Sequence, residues 1–539
     1  MKRYIMKRYI ITTIILLTAT LGYSQDFYDA IRYSQTNTSG TARSISMGSA
    51  FGALGADFSS ASINPAGLGF YRSGEFTFSP TLNIDNVESS YLGTNIKDNM
   101  TSLNFNNISY VGNVKTGAES GIVDFSFGIG FNRLKNFNSK FTITGHGAQT
   151  SLLDYYTDWA NSIGNSDKFD GFNEGMAWKS YLIDQDPDES VIEGTFYNDL
   201  TDYSKYEIYD ANNEFLGYGY KKSGIKPHTQ QASVSQGGRI DEYLLSMGFN
   251  VNHKFYFGAS VGLLDLQFNQ HSTFSEIDDE NKSDYFQKYT LSSDLSHSGA
   301  GVNFKAGIIY RPFKSLRVGA AIHTPNLYSI SYYEERDMDA YYDKPVGNET
   351  EGSYTNWSSI NNYETYKYRL QTPMKAILSV AYLFGNRGLL SVDYDYSNYA
   401  SNQFSPAADD NFDYSAKNEE LRNAFKSTGN LHIGGEFRLN PNLSLRAGYE
   451  LFGNPWKSST TSNGTTLNLA NANDSYSTYS AGFGYRQQNF FIDFAYRMIQ
   501  SSQAYVVHDM TVTDSSYGMN VAQLKGANNQ ATVTFGFKF

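Results

Sequence analysis

The last ten residues, Gln530-Ala-Thr-Val-Thr-Phe-Gly-Phe-Lys-Phe539, decide the fold. Ala531, Val533, Phe535, Phe537 and Phe539 are apolar, while Thr532, Thr534, Gly536 and Lys538 between them are small or polar. A period of two gives an extended strand one greasy face and one wet face.

The same alternation recurs upstream. Val302, Phe304, Ala306, Ile308 and Tyr310 interleave with Asn303, Lys305, Gly307 and Arg311. Phe490, Ile492, Phe494, Tyr496 and Met498 interleave with Asp493 and Arg497. About fourteen such segments are expected. They lie near 75–84, 103–115, 121–133, 242–253, 255–275, 296–312, 315–334, 363–384, 387–398, 428–440, 442–453, 478–487, 489–501 and 528–539. Short connections are read at Gly117, His253–Lys254, Pro312–Ser315, Gly385–Asn386, Asn440–Asn442 and Gln487–Gln488. Long ones are read at 85–102, 134–241, 276–295, 335–362, 399–427, 454–477 and 502–527.

Short turns at one end and long loops at the other are the pattern of a bacterial outer-membrane barrel. A soluble sandwich has no reason to gather its long loops at one end. An open sheet edge in lipid would strand backbone groups, so the sheet must close. A last strand ending on an aromatic resembles the insertion signal of such barrels. The expected fold class is therefore all-β: a transmembrane antiparallel barrel of about fourteen strands.

Composition agrees. The chain has 539 residues, 42 Lys+Arg against 54 Asp+Glu, and a net charge of −12. Charged residues are 18%, below the roughly 25% of a soluble domain. The 43 Tyr and 37 Phe suit two interfacial girdles. With no Cys there is no disulfide, thiolate zinc site, iron–sulfur cluster or Cys nucleophile. An acidic chain without basic blocks is a poor partner for nucleic acid.

The N-terminus reads as an export signal, residues 1–24. Lys2, Arg3, Lys7 and Arg8 precede the apolar run Ile10–Leu21, and small residues Gly22 and Ser24 flank a cleavage site. No later apolar run is long enough for a transmembrane helix. Lys305, Arg317, Lys375, Asp393, Asp395, Glu436, Arg438, Arg446, Glu450, Asp493, Arg497 and Lys538 fall on the wet face of their strands. Their mixed signs predict a hydrated lumen whose charges pair across strands.

Residues 25–74 differ from the rest of the chain. The stretch from Gly40 to Gly69 is dense in Gly, Ala and Ser, which lets backbones pack closely. A short helix is expected from Asp57 to Ala61, and a turn at Asn64-Pro65. Such a compact segment can fold back as a hatch, or plug, in the lumen of a barrel spanning 75–539.

Here the sequence resembles a known family. Ala42-Arg-Ser-Ile-Ser-Met-Gly-Ser-Ala-Phe51 and Ile63-Asn-Pro-Ala-Gly-Leu68 are similar to the hatch of the FadL/TodX outer-membrane transport family. Asn64, Pro65 and Ala66 match its hatch motif. Gly307-Ile-Ile-Tyr-Arg-Pro-Phe-Lys-Ser-Leu-Arg-Val-Gly319, Gln371-Thr-Pro-Met-Lys-Ala376 and the words from Leu431 to Tyr449 are similar as well. The resemblance implies a fourteen-stranded monomer with a hatch, placed in the outer membrane of a Gram-negative bacterium with its long loops extracellular. It implies passive uptake of long-chain fatty acids or other hydrophobic molecules, caught among the loops and released sideways through the wall. Relatives also act as accessory barrels in outer-membrane protein export or assembly, which is the alternative function. The implied partners are outer-membrane lipid, a fatty-acid-like small molecule and, in the alternative, other outer-membrane proteins. The size of the 134–241 stretch argues against transferring ligand residues, so no ligand-binding residue is assigned.

Motifs that resemble chemistry dissolve. Asp184-Gln-Asp-Pro-Asp188 begins like a calcium loop, but Glu189 stands where Gly is needed and Thr195 where Glu is needed. Glu276, Asp278, Asp279 and Glu280 read as a solvated acidic loop. The eight His are scattered without metal spacing, and no nucleophile elbow is present. No catalytic residue, metal site or cofactor is expected, and the chain is not read as an enzyme. Leu152, Leu153, Tyr156, Trp159 and Ala160 sit at helical spacing inside the longest loop.

Overall fold

The computed structural model describes residues 27–36, 39–186, 190–210, 212–280, 282–283, 286–343, 362–408, 410–462, 465–468, 475–507 and 521–539. The export-signal reading of 1–24 lies outside them, as do Asp188 and Glu189 of the acidic stretch.

Fourteen antiparallel strands form the wall. They are β1 (Glu75–Tyr91), β2 (Thr94–Lys115), β3 (Ile122–Asn136), β4 (His228–Val251), β5 (Phe255–Ile277), β6 (Phe286–Phe313), β7 (Leu316–His323 and Leu327–Tyr342), β8 (Asn362–Gln371 and Lys375–Leu383), β9 (Gly388–Asn398), β10 (Ser427–Arg438), β11 (Leu443–Phe452), β12 (Tyr476–Arg486), β13 (Phe490–Val506) and β14 (Val521–Lys538). Each pairs with its chain neighbour, and β14 pairs with β1 from Lys538↔Glu75 to Gln523↔Ser90, which closes the barrel. Gly74 and Phe539 complete the seam with two backbone hydrogen bonds.

The outer surface carries the apolar half of each alternation. Leu103 (71% exposed), Leu263 (55%), Leu378 (65%) and Phe537 (53%) stand on it, while Thr532 and Thr534 are buried inside. A ring of such side chains needs a hydrocarbon solvent. Among the described residues no helix is long and apolar enough to cross a membrane.

Three expected loops are corrected. The loop read at 85–102 is a hairpin: past a register shift at Ser79/Pro80, β1 and β2 stay paired from Pro80↔Phe105 up to Tyr91↔Thr94, and Leu92 and Gly93 turn with φ of 45° and 84°. The stretch read as one loop from 134 to 241 contains an extension of β3, Ser139–Ala148, paired with the outer half of β4. β5 and β6 likewise stay paired out to Ile277↔Lys288. The reason is common to all three. Apolar alternation stops where the hydrocarbon stops, but strand hydrogen bonding continues through Ser, Thr, Asn and Asp above it. The segments expected to be continuous at 315–334 and 363–384 are interrupted, at 324–326 in β7 and 372–374 in β8. Pro325 and Pro373 sit in the breaks and have no N–H for the ladder.

Before the wall come helices α1 (Phe27–Ser34), α2 (Ala42–Ser46) and α3 (Ser60–Ile63), then a 3-10 turn, Pro65–Phe70. The helix expected at Asp57–Ala61 therefore starts three residues later. In the long loop the periodic residues form helix α4 (Leu152–Ile163), followed by α5 (Glu174–Lys179). Helix α6 (Ser415–Ala424) lies between β9 and β10.

The long loop is a folded cap. Leu153, Tyr156, Met176, Leu182 and Phe196 pack with Tyr289, Met338 and Tyr342 of the wall and with Val87 and Leu524 across the barrel. Glu276, expected in a solvated run, is fully buried beneath it. It accepts hydrogen bonds from Ser151 Oγ (2.5 Å), Gln230 Nε2 (2.7 Å) and Tyr289 OH (2.7 Å), and Leu152 N and His228 Nε2 lie at 3.2 Å. Ser151 also caps α4 through Leu153 N. One carboxylate thus ties the cap's first helix to β4, β5 and β6. Glu276→Ala strands several buried donors at once, and each unpaired group costs about 1–3 kcal/mol. The expected outcome is a cap that is cut by protease within 149–227 while the wall stays intact, read by limited proteolysis of the detergent-solubilised protein.

Candidate functional site

The plug is seated on glycines. Gly248, Gly258 and Gly307 stand directly opposite one another on β4, β5 and β6. A Cβ at Gly258 would lie 2.2 Å from the Pro65 carbonyl carbon, and one at Gly307 would lie 1.9 Å from Asn64 Oδ1. Across the lumen, Gly434 and Gly448 pair on β10 and β11 and leave the same room for Met47 and Gly48. Close approach of backbone to backbone requires the missing side chains.

Asn64 uses that room. Its Oδ1 accepts from Ala66 N at 3.1 Å, closing the turn that Pro65 begins. Its Nδ2 donates to Gly52 O at 2.7 Å and lies 3.3 and 3.4 Å from the Ile308 and Ala320 carbonyls of the wall. Ala66 is fully buried against Tyr256 and Ile309. The three motif residues therefore come together as a pin between plug and wall. Asn64→Ala with Pro65→Ala is expected to leave a closed barrel, because no strand pairing depends on the pin. It should loosen the plug, and planar-bilayer recordings should show ion-conducting openings that the parent lacks; failure to fold would make the motif purely structural.

Charges on the wet faces hold the rest of the plug. Arg446 bonds Glu436 at 2.8 Å and Asp493 at 2.7 Å, and Arg43 of the plug reaches Glu436 at 3.3 Å. Arg497 donates to Ser39 Oγ, Arg317 to the Leu54 carbonyl, and Asp393 accepts from Gly52 N at 2.6 Å. Lys305 pairs with Glu242, which also accepts from Ser62 Oγ at 2.7 Å. Lys375 and Asp395 lie 3.8 Å apart, and Lys538 faces Glu75 at 3.5 Å. Arg438 is half-exposed at the rim. The pairing expected across strands is present, but many of the same groups also bind the plug. A cavity at this level is lined by His323, Lys375, Asp393, Asp395 and His432 together with the apolar Ile377 and Phe452, so its lining is mixed.

Above the plug the lumen changes character. On β5 the apolar residues point out through Leu263 and then point in at Leu264, Leu266 and Phe268. Phe268, His297, Tyr332 and Tyr366 stand opposite one another in a row across β5 to β8. The next row is Leu266, Gly299, Ile330 and Tyr368, and the third is Leu264, Gly301, Tyr328 and Leu370. Tyr332 stacks on Tyr366 at 4.3 Å and meets His297 at 4.9 Å. Helix α1 lies against this aromatic panel through Ala30, Ile31 and Tyr33, and Phe404, Leu421 and Trp456 close it from the outer loops. An apolar panel, packed against α1, thus lies on the inner wall between the outer loops and the plug. The inward phase change at Leu263-Leu264 is the sequence signal for it, and period-two reading alone missed it.

Among the described residues no group of three His, Asp or Glu is placed to hold a metal ion. The sequence profile of the outer membrane transport protein family OMPP1/FadL/TodX matches residues 206–539, more than half of the chain. The chain belongs to this family. It is accordingly an outer-membrane protein of a transport family, with the long connections on the extracellular rim. No curated protein matches it in sequence. Among solved structures it is similar to a FadL homologue of Pseudomonas aeruginosa, at 13% identity over 93% of this chain and 99% of that one, with a TM-score of 0.51. It is also similar to the toluene transporter TodX of Pseudomonas putida, at 13% identity over 93% and 98%, TM-score 0.46. A third is the toluene transporter TbuX of Ralstonia pickettii, at 14% identity over 93% and 98%, TM-score 0.44. At such identities the first likeness bears on the fold alone.

Proposed function

We propose that the protein carries hydrophobic small molecules across the outer membrane passively. The observation that supports this is the buried aromatic panel of β5 to β8, placed between the outer loops and a pinned plug. An apolar molecule gains free energy there at about 25 cal/mol per Å² removed from water, with no chemical step. Deletion of the gene should slow growth on a hydrophobic carbon source, and plasmid-borne wild type should restore it. Unchanged growth with an altered set of surface proteins would overturn the reading.

The route out is proposed to be sideways. The plug packs against the wall on opposite sides of the lumen, and the wall's ladder is broken at 324–326 and 372–374 in two adjacent strands. There Thr372 N and Asn326 O bond at 3.0 Å, and Asn326 N reaches Thr372 Oγ1 at 3.0 Å. Two bonds to bent segments part more easily than a continuous ladder. A disulfide between Asn326→Cys and Thr372→Cys is expected to lower uptake, and reduction to restore it.

A further inference from the structure

One sector of the periplasmic rim carries charge of a single sign. The short segments 252–255, 311–315, 384–387 and 438–442 hold Lys254, Arg311, Lys314, Arg387 and Arg438 and neither Asp nor Glu, in a chain whose net charge is −12. Backbone bonds lay these segments side by side. Arg311 N donates to the Lys254 carbonyl at 2.7 Å, Leu383 N to the Ser315 carbonyl at 2.7 Å, and Arg438 N to the Arg387 carbonyl at 2.8 Å. Little of the charge is spent within the protein. Lys254, Lys314 and Arg387 are exposed and form no ion pair among the described residues. Arg311 Nε is buried without a partner. Arg438 stands 3.9 Å from Glu436, which Arg446 already holds at 2.8 Å. The rest of the rim differs: Arg72 is bound to Asp124 at 3.0 Å, Lys538 to Glu75 at 3.5 Å, and Lys115 shares its turn with Glu119.

Apolar side chains alternate with these cations. Phe255 is 39% exposed, Phe313 68%, Phe384 55% and Leu439 51%. Phe255 stacks on Tyr310 at 4.7 Å and Phe384 meets Tyr382 at 5.0 Å, so the row continues the lipid-facing surface of the wall. In such a pair the ring lies at the edge of the hydrocarbon and the cation reaches the level of the lipid phosphates. A protein docking from the periplasm would meet the charges but leave the rings to lipid. A phospholipid engages both, its chains on the rings and its phosphate on the cations. Basic residues at a membrane surface attract anionic lipid, because a zwitterionic headgroup brings no net charge to pair with them.

We propose that the rim between the β4–β5 and β10–β11 turns binds anionic phospholipid of the inner leaflet and holds it in preference to zwitterionic phospholipid. This goes beyond the carrier reading and does not depend on what the barrel carries.

The test uses the full-length protein in detergent, mixed with equal amounts of phosphatidylglycerol and phosphatidylethanolamine of the same acyl chains, and counts retained lipid by native mass spectrometry. The expected result is phosphatidylglycerol retained about tenfold or more over phosphatidylethanolamine. The variant Lys254→Gln, Lys314→Gln, Arg387→Gln, Arg438→Gln should retain the two lipids equally. Lys115→Gln, on the other side of the rim, should keep the parental preference. Equal retention by the parent overturns the proposal, and so does a preference that survives in the quadruple variant or is lost in Lys115→Gln. Displacement of the lipid by excess inorganic phosphate would make this a site for a free anion and overturn the lipid assignment. An acidic protein that copurifies in place of phosphatidylglycerol, and is lost from the quadruple variant, would overturn it as well. Should the quadruple variant fail to migrate as a folded barrel, Lys314→Gln with Arg387→Gln, two exposed turn positions, is expected to lower the preference at least threefold, and no change would overturn the proposal.

Discussion

A glutamate in place of Ile330 should cut uptake of a hydrophobic substrate by about tenfold or more while leaving the barrel in the membrane. Ile330 is fully buried at the centre of the panel, opposite Gly299 and Tyr368. A carboxylate there must lose its water, and Arg32 of α1, which lies over the Phe268 ring, is already bound to Asp29, so the burial costs several kcal/mol. A penalty of ~1.4 kcal/mol on the loaded state already gives a factor of ten. The side chain points inward, so the lipid-facing surface and the strand ladder are unchanged. Ile330→Leu keeps volume and polarity and should transport normally. Uptake by the glutamate variant at the parental rate, with equal protein in the outer membrane, would show that substrate does not pass the panel.

Glu242→Ala is expected to be the most destabilising single change in the plug's seat. Glu242 is fully buried on β4 and holds Lys305 of β6, Asn303 and the plug's Ser62. Removing one partner of a buried ion pair leaves a bare charge, a loss of about 3–5 kcal/mol. Ser62 keeps its bond from Asn132, so the plug loosens on the β6 side first. Replacing both partners, Glu242→Gln with Lys305→Met, removes the bare charge and should regain most of the loss. Urea unfolding followed by heat-dependent gel migration measures both. A double variant as unstable as the single one would mean that the packing there, and not the pair, carries the stability.

The outward half of this fold was legible because lipid demands it. Every strand that crosses hydrocarbon must show apolar residues at every second position, and Val302 to Tyr310 or Ala531 to Phe539 do so plainly. The wet-face charges were legible for the same reason, as the complement of that pattern. The region above the membrane was not. Asp85 to Asn104 is mostly polar, and its few apolar residues, such as Val87, Ile96 and Met100, are too sparse to separate a hairpin from a loop; pairing is set by the partner strand. Glu276 read as solvent-exposed because its neighbours Asp278 to Glu280 are acidic, while its burial comes from a helix cap some 125 positions earlier in the chain. The motif Asn64-Pro65-Ala66 was visible as a turn. Its seat was not, because Gly248, Gly258 and Gly307 mean something only when three strands lie side by side. The panel required noticing that the apolar phase of β5 reverses at Leu263-Leu264, where the outside becomes wet and the inside greasy.

Native mass spectrometry of the protein, extracted gently at its natural abundance, tests the central claim most directly, because one spectrum reports bound small molecules and bound proteins together. The account predicts a single barrel carrying an apolar molecule of low mass, lost from the Ile330→Glu variant. A barrel in stoichiometric complex with other proteins and free of any apolar ligand would contradict it.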